Sequence, residues 1–183
     1  MTYYIDIRLM PSKEMRENVL LNNIYASFHK RLYDLKANDI GVSFPEYRLK
    51  LGRLFRVHGS KDSLEKLQEK DWLGKYAKYC KISNIEQIPN SVQYRTVYRV
   101  QQNMTEAKLR RLIKRRNISE EEIKKYRIKM LKGGLDNPYV ELKSMSNGQF
   151  HRRFIAFGDL QNTKINGGFD FFGLSKIATI PWF

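Results

Sequence analysis

An α+β fold follows from three features of the 183-residue chain. Apolar and polar residues alternate at its start, the period of a half-buried strand. A stripe of large apolar residues at four-residue spacing comes next, the mark of an amphipathic helix. Strand and helix patterns then follow one another over the first 90 residues in the order β-α-β-β-α-β, the ferredoxin-like pattern.

The first strand carries Ile5, Ile7 and Leu9 between Tyr4, Asp6 and Arg8. Pro11 and Ser12 end it and open the first helix, whose stripe is Leu20, Ile24, Phe28 and Leu32. IGVSFP (40–45) is a short strand stopped by Pro45, and RLFRVHG (53–59) is the next. Asp62 and Glu65 form a capping box for a helix that uses Leu64 and Leu67. YCKISNI (79–85) is the fourth strand, and Pro89 with Asn90 marks a boundary. Residues 1–90 thus form one domain and residues 91–183 a second, α/β domain.

The second half opens with the strand YRTVYRVQ (94–101). Two helices follow, the first capped by Asn103 or Thr105. The second starts at Ser119 with Glu122 as its capping box. Glu120/Lys124 and Glu121/Lys125 are its ion pairs, and Gly133 with Gly134 closes it. YVELKSM (139–145), QFHRRFIAF (149–157) and GFDFFGL (168–174) alternate as strands, the last after an Asn166-Gly167 turn.

Lys+Arg total 34 and Asp+Glu 19, a formal net charge of +15. So large an excess makes nucleic acid or an anionic surface the leading class of partner. It is uneven: residues 91–183 hold 18 basic and 8 acidic side chains, residues 1–90 hold 16 and 11. Cys80 is the only cysteine, which excludes an intrachain disulfide and a cysteine-based zinc site. The histidines are His29, His58 and His151, without metal-ligand spacing. No metal and no cofactor is therefore expected. No apolar run reaches the ~18 residues of a membrane span, and the expected location is cytoplasmic.

The charge concentrates in KLRRLIKRRN (108–117). On a helix, Leu109, Leu112 and Ile113 fall on one face, and Lys108, Arg110, Arg111, Lys114 and Arg115 on the opposite one. Arg116 lies in the apolar stripe and snorkels out at the helix end. Acids are absent from the basic face. Like charges at i,i+4 cost a few tenths of a kcal/mol each, so the face is expected to bind phosphates rather than merely to be solvated. Upstream, Arg99 and Gln101 share one strand face. Arginine suits guanine and glutamine suits adenine.

His29 lies at the edge of the first helix's apolar stripe. An imidazole with a pKa near ~6.5 can take a proton at neutral pH. Next to RNA, the useful proton is that of a 2′-hydroxyl. Ser144 and Ser146 lie two apart and point to one side, where they can hydrogen-bond a ribose or a phosphate. Phe150 and His151, beside Arg152 and Arg153, offer a ring to stack on a base; Phe150 is also a candidate core residue.

These pieces stand in a definite order. YIDIRL (4–9), His29, IGVSFP (40–45), YRTVYRVQ (94–101), the arginine-rich helix, SMSNGQFHRRFI (144–155), GLSK (173–176) and PWF (181–183) span nearly the whole chain. Together they resemble the CRISPR-associated endoribonuclease of type I-F systems, the Csy-type enzyme that processes precursor crRNA. The resemblance implies cleavage of the repeat RNA at the 3′ base of its hairpin, without metal, by 2′-hydroxyl attack. It implies retention of the crRNA and membership of the surveillance complex with other subunits. By the same resemblance, His29 and Ser144 match the catalytic pair and Ser146 a companion serine. Arg99 and Gln101 match the base-reading pair. Arg110, Arg111, Arg115 and Arg116 match the helix laid in the major groove. Three positions depart: Phe172 stands where the family has a tyrosine, Leu112 where it has an arginine, and His151 where it has the stacking phenylalanine. The departure at Phe172 motivates an alternative, a hairpin-RNA scaffold subunit that does not cut. Composition alone also allows a basic ribosome-associated or DNA-binding domain.

Overall fold

The computed structural model describes residues 1–101, 106–115, 118–132, 136–144 and 148–183, with the side chains of 129–132 left aside. The fold is mixed α/β with two antiparallel sheets. The first half runs β1 (Tyr3–Leu9), α1 (Glu17–Leu35), β2 (Gly41–Ser43), β3 (Leu54–Gly59), α2 (Lys61–Gln68), a 3-10 turn (Gly74–Tyr79), β4 (Cys80–Ile82) and β5 (Glu86–Gln87). Its sheet has the order β2-β3-β1-β4, and β5 also pairs with β1. The second half runs β6 (Gln93–Val100), α3 (Glu106–Lys114), α4 (Glu120–Lys132), β7 (Tyr139–Lys143), β8 (Phe150–Phe157) and β9 (Ser175–Trp182). Its sheet has the order β7-β8-β6-β9.

The alternation in β1 does what its period requires. Ile5, Ile7 and Leu9 are buried, and so is the α1 stripe of Leu20, Ile24, Phe28 and Leu32. This packing continues into the second sheet through Val97, Val140, Ile155 and Ile180, so one hydrophobic cluster serves both sheets. Aromatic and arginine side chains reinforce the join. Tyr47 stacks on Phe157 with centroids 3.6 Å apart, and Arg95 donates to the Tyr47 hydroxyl at 3.0 Å. Arg56 makes two bonds to the Asp6 carboxylate, at 2.6 and 2.9 Å. It also donates to the Phe183 carbonyl at 2.7 Å. Buried Arg31 ties α1 to α2 by donating to the Leu67 carbonyl at 3.2 Å and to that of Lys66, which satisfies carbonyls a helix end leaves unpaired.

Several elements differ from expectation. The first helix begins at Glu17, because Ser12 and Met15 close a hydrogen-bonded turn first. Ser60, not Asp62, caps α2: its Oγ accepts from the Ser63 N–H at 3.1 Å. Asp62 lies inside the first turn, where its charge suits the helix dipole. The capping box of α4 forms as expected, with reciprocal bonds between Ser119 and Glu122. Its expected pairs Glu120/Lys124 and Glu121/Lys125 are not among the ion pairs of the described residues. Asn103, Thr105, Gly133 and Gly134 lie outside the described residues.

Residues 168–174 are not a strand. The Asp170 carboxylate accepts from the N–H groups of Phe172 and Leu174, both at 2.9 Å, and curls the chain into a turn. Gly173 sits at φ +69°, where an added Cβ would meet Val42 and Phe28 at 3.0–3.2 Å. The strand starts just beyond this turn, as β9, which pairs with β6.

Candidate active site

Strand register decides which side chains meet α1. Directly paired residues share a sheet face. Arg99 pairs with Ile155 and Val97 with Phe157, while Val140 pairs with Arg153 and Leu142 with His151. One face therefore carries buried Val97, Ile155 and Val140, packed toward the first half. The same face continues into Arg99, Arg153 and His151. Ser144 follows Leu142 by two residues, and its N–H donates to the Gln149 carbonyl at 2.8 Å, which extends the β7–β8 hairpin.

His29 and Ser144, from opposite halves of the chain, line one open depression of about 390 Å³ with Arg99, Arg152, Arg153 and Phe172. Lys143 also borders it, and no acidic side chain is among its described lining residues. It is a cationic hollow around one hydroxyl and two imidazoles, those of His29 and His151, suited to a phosphodiester.

The turn at 170–174 fixes His29. Its Nδ1 lies 2.8 Å from the Phe171 carbonyl oxygen. A carbonyl only accepts, so Nδ1 carries the proton. Neutral His29 then keeps its lone pair on Nε2, the tautomer a general base requires. One helical turn earlier, buried Tyr25 donates its hydroxyl to the Phe172 carbonyl at 2.9 Å. Two consecutive carbonyls are thus held by two side chains of α1 at i,i+4.

The Phe172 ring is covered on both faces. The His29 imidazole stacks on it at 3.5 Å, with an interplanar angle of 11°. The Arg153 guanidinium carbon lies 3.4 Å from its centroid. Two groups at such short spacings cannot share one face, so Phe172 is sandwiched between them. Burial pushes the His29 pKa below its ordinary value. The bond to Phe171 opposes this, the nearby Arg153 charge lowers the pKa further, and Asp170 raises it. The result favours the neutral base.

A second hollow of about 720 Å³ is bordered by Arg99, Gln101, Lys108, Arg111, Phe150 and His151. Six residues expected to touch RNA therefore lie around one cavity beside α3. With its amide oxygen turned toward Arg99, Gln101 accepts from both terminal guanidinium nitrogens at 3.1 Å. Arg110, Lys114 and Arg115 are exposed and line neither hollow. Leu109 is fully buried, but Ile113 is 41% exposed, so the apolar stripe of α3 is narrower than expected. Phe150 is 66% exposed, which overturns its assignment to the core. It points to the opposite sheet face from His151, as successive strand residues must. Ser146 and Arg116 lie outside the described residues. Among the described residues, no group of three His, Cys, Asp or Glu side chains comes together as a metal site, and no helix is long and apolar enough to cross a membrane.

Sequence reasoning did not single out Tyr25, Phe171 or Arg153 as parts of the site. Tyr25 sits four residues before His29, a spacing that puts both on one helix face. Nothing local in the sequence brings Arg153 to Phe172.

Residues 4–183 match the family described as CRISPR-associated protein (Cas_Csy4). The chain is 38% identical over 187 residues to the "CRISPR-associated endonuclease Cas6/Csy4" of Pseudomonas aeruginosa (strain UCBPP-PA14), covering all of both chains. It is 34% identical over 184 residues to the protein of the same name from Escherichia coli (strain UTI89 / UPEC), again over the full length of both. Among solved structures, that of the CRISPR endoribonuclease Cse3 bound to 19 nt RNA aligns with 98% of this chain and 100% of its own, at 10% identity and a TM-score of 0.39.

Proposed function

The chain belongs to the Cas_Csy4 family of CRISPR-associated proteins, and on that premise we propose that it is a metal-independent endoribonuclease that cuts CRISPR repeat RNA at the 3′ base of its hairpin. One observation carries the reading: His29, held in the Nδ1–H tautomer by the Phe171 carbonyl, shares a cationic depression with Ser144. Nε2 of His29 takes the proton of the 2′-hydroxyl. The 2′ oxygen bonds to the adjacent phosphorus as the bond from phosphorus to the 5′ oxygen breaks. The departing 5′ oxygen gains a proton, which balances the one removed. The products are a 2′,3′-cyclic phosphate and a 5′-hydroxyl. Ser144 holds the ribose that carries the nucleophile, with Ser146 as its companion.

The stem lies along α3, with Lys108, Arg110, Arg111, Lys114, Arg115 and Arg116 on its phosphates. Arg99 and Gln101 exchange their mutual hydrogen bond for base edges. A major groove of A-form RNA is normally too deep and narrow to read, and the open end of a short stem relieves that limit. Phe150 or His151 stacks on the terminal pair. The strand order of the first sheet supports a ferredoxin-like domain at 1–90 that supplies the base. Residues 91–183 then form the hairpin-binding domain. The product crRNA is retained in a cytoplasmic surveillance complex with other subunits.

The test is incubation with the host's repeat RNA in excess EDTA. A single cut at the stem base is the expected result. Binding without a cut would replace this reading with that of a scaffold subunit.

A further inference from the structure

Arg153 has an environment unlike that of the other arginines in the depression. Its guanidinium carbon lies over the Phe172 ring, 3.4 Å from the centroid. Its Nε is buried without a hydrogen-bond partner, and it makes no ion pair among the described residues. Arg152, by contrast, lies near Glu141 at 3.5 Å. The Nε of Arg99 is likewise buried without a partner, but both its terminal nitrogens lie 3.1 Å from the Gln101 amide oxygen when that oxygen is turned toward it, whereas among the described residues Arg153 has only the Phe172 ring against it. A half-buried guanidinium normally finds an anion or a carbonyl, because its donors are costly to leave unused. Stacking on an aromatic ring fixes its plane and leaves its in-plane N–H groups free to donate sideways. Arg153 borders the depression that holds His29 and Ser144.

The ring sandwich also sets a distance. The spacings of 3.5 Å and 3.4 Å on the two faces of Phe172 add to about 7 Å between the imidazole centre and the guanidinium carbon. The ring fills that separation, but all three side chains border the same depression, so a phosphate lying past the ring edge can accept from arginine at about 2.7–2.9 Å with its neighbouring 2′-hydroxyl turned to His29. In-line attack adds negative charge to the non-bridging oxygens as the fifth bond to phosphorus forms. A fixed cation beside them is worth more in the transition state than in the ground state.

Resting on the endoribonuclease reading above, we propose that Arg153 is a catalytic residue that donates to a non-bridging oxygen of the scissile phosphate. It stabilises the charge of the five-coordinate phosphorus while Phe172 holds it in register with His29. Burial chiefly lowers the His29 pKa, and the Arg153 charge lowers it further. Arg153 faces His29 from the sheet, where Arg99, Lys143, His151 and Arg152 border the same depression, while Asp170 acts in the opposite sense from the turn and Tyr25 lies uncharged on the same helix.

Two measurements on the full chain with its host's repeat RNA test this. Arg153→Met keeps an unbranched stem against Phe172 and removes the charge; Arg153→Lys returns a point charge. For Arg153→Met the expected result is single-turnover cleavage slowed by about 10²–10³-fold, with RNA affinity changed by less than about tenfold. The rising limb of its pH–rate profile moves to higher pH, and Arg153→Lys recovers part of the rate. Cleavage by Arg153→Met within about threefold of the unaltered protein, or equal losses of rate and affinity, would overturn the proposal. The second measurement leaves the protein untouched and places sulfur at each non-bridging position of the scissile phosphate. One diastereomer should be cut about tenfold or more slowly than the other. Equal rates for the two would overturn the proposal. Failure of the unaltered protein to cut the all-oxygen RNA would instead reject the endoribonuclease reading on which it rests.

Discussion

The imidazole of His29 lies against the ring of Phe172, their planes within 11°. The ring acts as a spacer with the imidazole on one side and the Arg153 guanidinium on the other. Phe172→Ala should therefore cost more than packing. Truncating a buried or half-buried phenylalanine destabilises by about 3 kcal/mol. Loss of the spacer should also slow cleavage by about 10²-fold through misplacement of His29. Denaturant unfolding and single-turnover rates measure the two effects separately. A stability loss with an unchanged rate would show the ring to be packing only.

His29 should titrate below the ordinary histidine value in the RNA-free protein, because burial and Arg153 both disfavour its charged form. A pH titration of its ring protons by NMR checks this, with a midpoint under ~6.5 expected. A midpoint above that value would mean that the Phe171 bond and Asp170 outweigh burial.

His58 offers a second pH effect, on stability rather than catalysis. It is fully buried, with Nε2 2.8 Å from the Ser43 hydroxyl and Nδ1 unpaired among the described residues. Burial, aided by the Arg56 charge, pushes its pKa down to about 3. Between about 6.5 and that value, the unfolded chain takes up a proton that the folded chain does not. Stability should thus fall as pH drops through this range, by up to about 1.4 kcal/mol per pH unit from this group. His58→Gln should show a shallower slope in denaturant midpoints measured from pH 7 to pH 4. An identical slope in the variant would remove His58 from the account.

Arg111→Ala and Arg115→Ala address α3. Each should weaken repeat-RNA binding and reduce the slope of log K against log salt by about one. Filter binding at several salt concentrations gives the slope. An unchanged slope in both variants would mean the face is only solvated.

The sequence was most informative where one period governed a whole element. The stripe Leu20, Ile24, Phe28 and Leu32 is buried as its spacing requires, and the charge of α3 was visible in ten residues. It misled at 168–174, where alternating aromatics look like a strand. Phe169 is buried and Phe171 and Phe172 are half-buried, but Asp170 binds the backbone beyond it and turns the chain. The strand β9 was missed because its exposed Lys176 and Ile177 break the alternation before the buried run begins. His29 and Ser144 were found as separate residues, and the resemblance joined them. Arg153 depends on the register of β7 against β8 and on a turn some twenty residues later, which no local pattern encodes.

Cleavage of the host's repeat RNA by the unaltered protein and by His29→Ala, side by side in EDTA, decides whether His29 drives a metal-independent cut. The expected result is one cut at the stem base by the unaltered protein, with a 2′,3′-cyclic phosphate on the upstream fragment. In His29→Ala a loss of at least about 10²-fold in rate is expected, with RNA binding retained. Undiminished cleavage by His29→Ala would contradict that role of His29.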